Sequence, residues 1–447
     1  MKLFGTDGIR GKVNSEAMRP ETVLRVGMAA AKVLKKKHGR NLVLIGKDTR
    51  LSGYMIESAL TSGICSMGMN VILVGPVPTP GVAYLTRALR LDAGIVISAS
   101  HNPFQDNGIK FFSHDGFKLP EALESEIEVL VHSEGGLMER PQGAGIGKAV
   151  RLDDATGRCI EYIKSTIPRG VDFEGLKIVV DCANGAAYKI TPWVFRELGA
   201  EVIAINDKPN GININDNCGS LYMDRLREEV VSAGADVGIA HDGDADRTLF
   251  CDEKGDIVDG DKAMGLLAVG LKETGHLMND TLVSTVMSNL GLEHYLQSRG
   301  IKLVRTSVGD RYVVEKMREG GYNFGGEQSG HIVFFDHNTT GDGPITAIQM
   351  MHLLKKRRKF SDLAGEIKMY PQILENVAVG KRRSIDSIPA VTQAVEKVRR
   401  DLEGRGRILV RPSGTEPKIR IMVEGDDQRL IKECAEYISK IIADSLS

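Results

Sequence analysis

The sequence has no excess of charge of either sign, with 58 lysines and arginines against 59 aspartates and glutamates in 447 residues. Proteins that bind DNA or RNA neutralise its phosphates with a basic surplus, so we expect no nucleic-acid partner. No apolar stretch reaches 18 residues, and the first residues contain no apolar segment followed by a cleavage site. We therefore expect neither a membrane span nor a secretory leader.

The sequence also has no cysteines in C-x-x-C spacing, and its six cysteines are scattered. Most of them adjoin apolar or small residues, which is typical of core thiols in a reducing compartment, so we expect a cytoplasmic protein. What the chain does have in quantity is glycine, 50 residues, or about 11% against about 7% in average proteins. Much of it lies in short loops, where glycine lets the backbone approach a ligand.

Strand-like runs alternate with amphipathic helix patterns to about residue 360, which favours an α/β architecture in a chain too long for one core. Three units in this stretch each contain two apolar strands and a third segment that ends in a polar, glycine-containing loop. The first strands are 42–45, 177–180 and 281–284, the second are 71–74, 202–205 and 302–305, and the loops are 98–102, 241–247 and 325–331. We predict three related α/β domains with mixed sheets around a central cleft.

The remainder of the chain follows a different order, with a helix over 388–403, a strand, loop and strand over 408–423, and a helix over 428–445. This order predicts a smaller C-terminal α+β domain that contributes a fourth loop. Segments rich in charge and glycine separate the units, as domain boundaries do. The predicted domains are 1–155, 156–254, 255–366 and 367–447.

The first loop follows an apolar run, Gly94 to Ile97, which predicts a buried strand. The strand must end before Pro103, because proline cannot continue a ladder. Ser100 therefore lies at a strand end, where α/β proteins place their chemistry. Its hydroxyl could be a nucleophile, a phosphate carrier or only a turn former.

The second loop carries three alternating aspartates, Asp242, Asp244 and Asp246. On an extended segment, which we expect here, their carboxylates point to one side and suit Mg²⁺ with a phosphate oxygen. A calcium EF-hand does not fit, because its sixth position would be Arg247 instead of glycine and the flanks are strand-like. A solvated acidic turn is the alternative, but the apolar strand before the loop favours a metal site.

The third loop places Glu327, Ser329 and His331 on a glycine-rich turn. These side chains offer donors and acceptors for sugar hydroxyls, while His331 could instead transfer a proton or be structural. The pattern G-x-S-x-G does not occur, which disfavours serine-hydrolase chemistry.

The fourth loop, Ser413, Gly414 and Thr415, lies between two predicted strands. Two hydroxyls and a run of backbone N–H groups can form an anion nest. The flanking Arg411 and Arg420 can add charge-assisted bonds to a phosphate. An exposed hairpin turn is the alternative, but the two arginines favour phosphate binding.

Two basic residues belong to segments that could reach the same cleft. Arg10 lies in a glycine-spaced stretch near the start, and Lys110 follows Ser100 closely. Lys110 could orient a phosphoryl group, transfer a proton, or be a solvated lysine at a strand edge. A serine, a metal loop, a sugar loop and a phosphate nest together indicate phosphoryl transfer on a phosphosugar.

The motifs SASHNP, DGDADR, GEQSGH and RPSGTEPKIR, in this order, resemble the α-D-phosphohexomutase superfamily over a match that runs from Leu3 to the last helix. Within it, LFGTDGIRG, GKDTRLSGYM, GDRYV and Gln328 are similar to the bacterial phosphoglucosamine mutases. That family interconverts glucosamine 6-phosphate and glucosamine 1-phosphate, on the way to UDP-N-acetylglucosamine. His241 and Ala245 depart from the common pattern without removing a ligand.

The resemblance implies that Ser100 is the phosphoserine, and that one Mg²⁺ is bound by a phosphoryl oxygen of Ser100 with Asp242, Asp244 and Asp246. It implies that Glu327 and Ser329 contact the sugar. The phosphate that is not transferred would be held by Arg411, Ser413, Gly414, Thr415 and Arg420. Further catalytic candidates are Lys110, Arg10, Arg247 and His331.

The same resemblance implies a mechanism. Phospho-Ser100 would give its phosphoryl group to one end of the sugar phosphate, the bisphosphate would turn end for end, and Ser100 would take back the other phosphate. Turnover would need a sugar 1,6-bisphosphate or previously phosphorylated Ser100, and relatives are often homodimers. The alternatives are a phosphoglucomutase or phosphomannomutase, a phosphosugar-binding protein without catalysis, and a metal-dependent phosphatase.

Overall fold

A computed structural model of the chain describes residues 2–5, 7–36, 39–133, 135–137, 139–355, 359–379, 388–412 and 418–446. The chain separates into two compact units. The first is Met1–Met287 with Ile301–Gly365, and the second is Ser288–Gly300 with Glu366–Ser447. Among the described residues, no helix has both the length and the apolar character needed to cross a membrane.

The strands are β1 (Phe4–Gly5), β2 (Gly8–Lys12), β3 (Leu42–Lys47), β4 (Asn70–Pro76), β5 (Ala93–Ile97), β6 (Asp106–Ser113), β7 (Ala149–Arg151), β8 (Lys177–Asp181), β9 (Glu201–Ile205), β10 (Val237–His241), β11 (Thr248–Asp252), β12 (Ile257–Val258), β13 (Thr281–Thr285), β14 (Lys302–Thr306), β15 (Phe324–Gly326), β16 (Ile332–Phe334), β17 (Gln372–Ala378), β18 (Gly406–Pro412) and β19 (Lys418–Gly425).

The α-helices are α1 (Pro20–Leu34), α2 (Gly53–Ser66), α3 (Thr79–Ala88), α4 (Glu121–His132), α5 (Ala155–Lys164), α6 (Ile190–Glu197), α7 (Asp224–Ala233), α8 (Gly260–Glu273), α9 (Leu290–Ser298), α10 (Asp310–Gly320), α11 (Gly343–Lys355), α12 (Phe360–Ala364), α13 (Pro389–Asp401) and α14 (Gln428–Leu446). Short 3₁₀ helices cover Gly143–Gly145, Gly219–Leu221 and Met278–Asp280.

The first unit contains three mixed sheets that share one plan. Their strand orders are β1-β2-β6-β5-β3-β4-β7, β12-β11-β10-β8-β9 and β14-β13-β15-β16. In each sheet a central strand (β3, β8 or β13) has parallel neighbours on both sides. One of those neighbours then pairs with the next strand in an antiparallel ladder. The prediction of three related α/β domains with mixed sheets is confirmed.

This plan gives the first three predicted loops equivalent positions. They join β5 to β6, β10 to β11 and β15 to β16. Every residue of β5 and of β10 is buried, so each apolar run ends abruptly where the polar loop begins. The loops leave the carboxyl ends of parallel strands, the edge of an α/β sheet at which ligands bind.

The second unit is built on an antiparallel sheet in the order β17-β19-β18. Its core contains Val391 and Val398 of α13, Ile421 of β19, and Ile431 and Ile438 of α14. Helix α9 belongs to this unit although it lies between β13 and β14 in the chain. The predicted small C-terminal α+β domain is confirmed.

The cysteines occupy the positions that the sequence predicts for core thiols. Cys65 is half-buried, the other five are buried, and all six are free. Burial raises the pKa of the thiols of Cys159, Cys218 and Cys251 to about 12.

Helices α1 and α2 pack closely through a glycine on each of them. A Cβ atom on Gly27 of α1 would lie 2.7 Å from the carbonyl oxygen of Leu60, and one on Gly63 of α2 would come even closer to that of Leu24. Both neighbours are backbone atoms of the facing helix, so they can yield only if the helices move apart. Glycine is therefore required here for helix packing.

We predict opposite effects for two glycine-to-alanine changes in helices. Gly63→Ala should destabilise the first unit by about 1–3 kcal/mol through overpacking. Gly157→Ala in α5, where the side chain would meet nothing within 4 Å, should stabilise it by up to about 1 kcal/mol through helix propensity. Thermal unfolding checks both, and an unchanged melting temperature for Gly63→Ala would contradict the close packing.

Candidate active site

Ser100 lies buried just beyond β5, with a left-handed φ of 53°. Its Oγ donates a hydrogen bond of 2.6 Å to Oδ2 of Asp242, in the loop of the second sheet. Its backbone N–H donates to Oγ of Ser98 at 2.9 Å, and His101 Nδ1 lies 3.2 Å from its Oγ. The predicted phosphoserine and the predicted metal loop are therefore in direct contact.

The three aspartates converge, but not for the reason that their alternation suggested. Residues 242–247 form a turn between β10 and β11, and Ala245 has a left-handed φ of 52°. The expectation of an extended segment was wrong, because the antiparallel pairing of β10 with β11 requires the chain to reverse. The turn still brings one oxygen each of Asp242, Asp244 and Asp246 within 4.8 Å of one another.

Lys110 is the principal positive charge beside these aspartates. From β6 its Nζ donates to Oδ2 of Asp244 at 3.0 Å and to Oδ2 of Asp246 at 3.2 Å, and it lies 3.3 Å from Oδ2 of Asp7. Burial alone would lower the pKa of Lys110, but the carboxylates of Asp244 and Asp246 outweigh it and raise the pKa well above the ordinary value. The ammonium group therefore stays charged.

The pKa values of the carboxyl groups differ according to their neighbours. Burial, followed by the nearby Asp246 and Asp244, raises the pKa of Asp242. Burial also acts to raise the pKa of Asp244, but Lys110 and the Thr79 hydroxyl, which donates at 2.6 Å, outweigh it and lower the pKa. The positive charge of Lys110 thus compensates mainly the carboxylate of Asp244. Asp242, which contacts Ser100, lacks compensating positive charge.

The residues fit a divalent cation. Oδ1 of Asp244 and Oδ1 of Asp246 are buried and accept no hydrogen bond, and a buried carboxylate oxygen without a partner is costly. Together with Asp242 they present hard oxygen atoms, which Mg²⁺ prefers. A cation bound between the three aspartates would coordinate these oxygens and supply the positive charge that Asp242 lacks.

Ion pairs of Lys118, followed by a contact between Asp310 and His331, link this cluster to the loop between β15 and β16. Lys118 bonds both Asp7 and Asp310, and Nε2 of His331 lies 3.5 Å from Oδ2 of Asp310. Asp7 also pairs with Arg10. Arg247 approaches the cluster from its own loop, with Nε 4.0 Å from Oδ1 of Asp246. The four further catalytic candidates therefore all belong to one connected network.

The predicted sugar loop contains one half-buried acid, Glu327, and one buried imidazole, His331. Oε1 of Glu327 accepts a hydrogen bond from the backbone N–H of Gly309 at 3.1 Å. Burial raises the pKa of Glu327, although His331 and Arg247 act in the opposite direction. His331 is only 2% exposed, and neither ring nitrogen makes a hydrogen bond. Ser329 is exposed near the end of the loop.

The phosphate-loop candidates lie in the second unit. Arg411 of β18 stands directly opposite Arg420 of β19. Partial burial, and then the charge of Arg420, lower the pKa of Arg411. Two like charges in one cross-strand pair repel each other, and an anion would relieve this. Ser413, Gly414 and Thr415 lie outside the described residues.

Three polar residues without an assigned role reach the loops of the site. Thr79, at the start of α3, holds Asp244, while Arg50 and Asn215 donate to carbonyl groups of the Ser100 loop. Thr79 and Arg50 each follow a strand of the first sheet closely, so the strand-end argument used for Ser100 could have found them. No local signal marks Asn215.

The chain matches four family profiles over most of its length. They are described as phosphoglucomutase/phosphomannomutase α/β/α domains I, II and III and the C-terminal domain, and they match residues 1–136, 160–255, 259–370 and 374–441 respectively.

Curated relatives are similar along the whole chain. The phosphoglucosamine mutase of Thermodesulfovibrio yellowstonii is 55% identical over 445 residues, covering 99% of each chain. That of Citrifermentans bemidjiense is 53% identical over 446 residues, covering 100% of this chain and 98% of the relative.

Solved structures share the fold at lower identity. A phosphoglucomutase/phosphomannomutase family protein of Burkholderia thailandensis matches with a TM-score of 0.82 at 22% identity, covering 99% of this chain and 97% of that one. The N-acetylphosphoglucosamine mutase of Aspergillus fumigatus, in complex with GlcNAc-6P and magnesium, matches with a TM-score of 0.69 at 17% identity, covering 100% and 96%.

The charge balance around Lys110 generates a pH-dependent prediction. Lys110→Met should cost about 3–5 kcal/mol of stability at pH 7, because it leaves buried carboxylates without their partner. The folded-state pKa values of Asp7 and Asp244 are lowered, so their ion pairing stabilises the protein above the ordinary carboxyl pKa and is lost as the pH falls through the lowered values. The difference between wild type and variant should therefore shrink below about pH 4.

Chemical denaturation across pH measures this difference. Lys12→Met is the control, since Lys12 is exposed on β2, and its stability should follow wild type. A Lys110→Met deficit that stayed constant down to pH 2 would contradict the assignment.

Proposed function

Since the chain belongs to the phosphoglucomutase/phosphomannomutase family and, within it, to the phosphoglucosamine mutases, we propose that it interconverts glucosamine 6-phosphate and glucosamine 1-phosphate through phospho-Ser100. It is an isomerase of the intramolecular phosphotransferase class. The observation that carries the proposed chemistry is the hydrogen bond from Ser100 Oγ to Asp242. It joins a hydroxyl that can carry a phosphoryl group to a carboxylate cluster that can hold a cation.

The proposed reaction conserves phosphate at every step. The C1 hydroxyl of glucosamine 6-phosphate attacks the phosphorus on Ser100, so a new P–O bond forms and the bond to Oγ breaks. A base takes the hydroxyl proton, and the released Oγ is protonated. After the bisphosphate turns round, Ser100 Oγ takes the 6-phosphoryl group, and the sugar oxygen recovers a proton. Glucosamine 1-phosphate leaves, and Ser100 is phosphorylated again.

Asp242, Asp244 and Asp246 would hold one Mg²⁺. When bound, the ion would act as a Lewis acid toward an oxygen of the phosphoryl group. Lys110 serves as a fixed positive charge, because two carboxylates hold its Nζ and keep its pKa raised. Arg10 and Arg247 are charged at all working pH values and can balance the charge on the phosphoryl oxygens.

His331 is our candidate for the group that carries the proton. An imidazole can both accept and donate a proton, and both ring nitrogens of His331 are without a hydrogen bond. Asp310, at 3.5 Å, could stabilise the imidazolium form. Lys110 is less suitable, since its raised pKa makes it a poor proton acceptor at neutral pH.

The remaining loops are proposed to bind substrate. Glu327 and Ser329 would contact the sugar hydroxyls or the amine. The phosphate that is not being transferred would be bound by Arg411, Ser413, Gly414, Thr415 and Arg420. Turnover requires priming, either by a sugar 1,6-bisphosphate or by earlier phosphorylation of Ser100.

We further propose that the product feeds UDP-N-acetylglucosamine synthesis in the cytoplasm, a compartment that six free cysteines support. The family resemblance also suggests a homodimer, which gel filtration would test.

The substrate assignment makes a kinetic prediction. With Mg²⁺ and a trace of each sugar bisphosphate, kcat/KM for glucosamine 6-phosphate should exceed those for glucose 1-phosphate and mannose 1-phosphate at least tenfold, or about 1.4 kcal/mol of transition-state discrimination. Ser100→Ala should lose turnover but still bind the phosphosugar. A higher kcat/KM for glucose 1-phosphate or mannose 1-phosphate would overturn the substrate assignment. Full activity of Ser100→Ala would overturn the mechanism.

A further inference from the structure

Two side chains from different sheets hold the backbone of Ser100. The first is Arg50, which is buried between β3 and α2. Its guanidinium group donates to four carbonyl oxygens, those of Ser100, Asn102 and Pro103 in the loop that carries Ser100 and that of Asp106 at the start of β6. Its Nε donates to Asp48 at 2.8 Å. Four of the five N–H donors of the guanidinium therefore bond main-chain carbonyls at and after Ser100, and the fifth bonds Asp48, just after β3.

The second side chain is Asn215, which belongs to the segment between β9 and α7 in the second repeat. It is 9% exposed, and its own backbone N–H donates to the carbonyl of Ala183 at 2.9 Å. Its Nδ2 donates to the carbonyl oxygen of Ser100 at 2.9 Å and to that of Asn102 at 3.0 Å. The Ser100 carbonyl thus accepts one hydrogen bond from the first repeat, through Arg50, and one from the second, through Asn215.

The backbone conformation of Ser100 explains why these hydrogen bonds are needed. A left-handed φ is unfavourable in a residue with a Cβ atom, and such conformations persist where the surroundings over-determine them. Rotation of the Ser100 peptide toward a relaxed conformation would break hydrogen bonds to both Arg50 and Asn215. It would also turn Oγ away from Asp242.

We infer that Arg50 and Asn215 are positioning residues that aim Ser100 Oγ at the metal loop, an inference that rests on the proposed role of Ser100. Neither side chain is bonded to Oγ, so both act through the backbone. Asn215 lies in the same repeat as Asp242. The contact between its amide and the Ser100 carbonyl therefore sets the position of the phosphoryl carrier relative to the carboxylates that face it.

Asn215 offers a test with a closely matched control. Asn217 lies two residues further on and is also left-handed, with a φ of 49° against 58° for Asn215. It is exposed, and its side chain donates to Asp216. Replacement of either residue by alanine thus puts the same side chain in the same strained backbone region. Only Asn215→Ala removes hydrogen bonds to the Ser100 loop.

We expect Asn215→Ala to lower kcat by 10- to 100-fold, because a misplacement of about 1 Å at the reacting atoms can cost about 100-fold. Its KM should remain within twofold of wild type, since no substrate contact is removed. The rate at which sugar 1,6-bisphosphate phosphorylates Ser100, followed by mass spectrometry, should fall in parallel. Asn217→Ala should match wild type in all three quantities.

Arg50→Lys is a second variant, since lysine keeps the charge but has no planar fork. It should lower the rate of Ser100 phosphorylation at least as much as Asn215→Ala does. Circular dichroism of each variant at the assay temperature gives the folded fraction. A loss of kcat that merely followed a loss of folded protein would overturn the positioning role.

The phosphorylation of wild type tests the proposed role of Ser100, and the comparison of the two asparagine variants tests the positioning role. If the wild-type protein never acquires phosphate on Ser100 but still turns over, the proposed route through phospho-Ser100 fails, and this inference fails with it. If wild type is phosphorylated normally and Asn215→Ala equals Asn217→Ala in kcat and phosphorylation rate, the proposed function stands and the positioning role is overturned.

Discussion

Mutual repulsion among buried carboxylates is the constraint on which the first unit depends. Asp242, Asp244 and Asp246 present oxygens within 4.8 Å of one another, and all three residues are buried. Such a cluster is stable only with compensating positive charge. Lys110 supplies part of it, but two oxygens remain without a hydrogen-bond partner. The protein thereby retains unsatisfied negative charge where a cation and a phosphoryl group could meet.

The repeated sheet plan explains how distant parts of the chain contribute to this place. In each repeat the chain leaves a buried parallel strand, forms a short polar loop and returns as an antiparallel strand. Ser100 comes from the first repeat, the aspartates from the second, and Glu327 with His331 from the third. Ion pairs of Asp7 with Lys110 and of Lys118 with Asp7 and Asp310 connect the aspartate cluster to Asp310, which lies 3.5 Å from His331 of the third repeat.

Much of this arrangement could be predicted from the sequence. Buried strands are visible in it as apolar runs, and each run ends where a polar loop begins. The strands that precede Ser100 and Asp242 were predicted in this way, as was the small final domain. The convergence of the aspartates was expected as well, but from the alternation of residue types on an extended segment. The extended form of the aspartate loop was predicted wrongly, since alternation of residue types does not reveal a reversal of the chain.

The residues that escaped prediction have partners far away in the sequence. Asn215 acts on carbonyl groups 115 and 113 residues away, and any residue type provides a carbonyl. Arg50 likewise bonds main-chain oxygens 50 to 56 residues distant. Tertiary packing alone creates such contacts, so their partners cannot be identified before the fold is known. The place of Arg50 shortly after β3 could have marked it as a candidate, but no spacing or composition signal marks Asn215.

The most direct test of the account compares divalent-cation affinity with and without phosphate on Ser100. A phosphoryl group adds about −1.5 to −2 charges and three acceptor oxygens, directly beside Asp242. Calorimetric titration with Mg²⁺ should show at least tenfold tighter binding to the phosphorylated protein, and Asp242→Asn should remove most of that difference. Equal affinity in the two forms would contradict the claim that the serine and the three carboxylates form one centre.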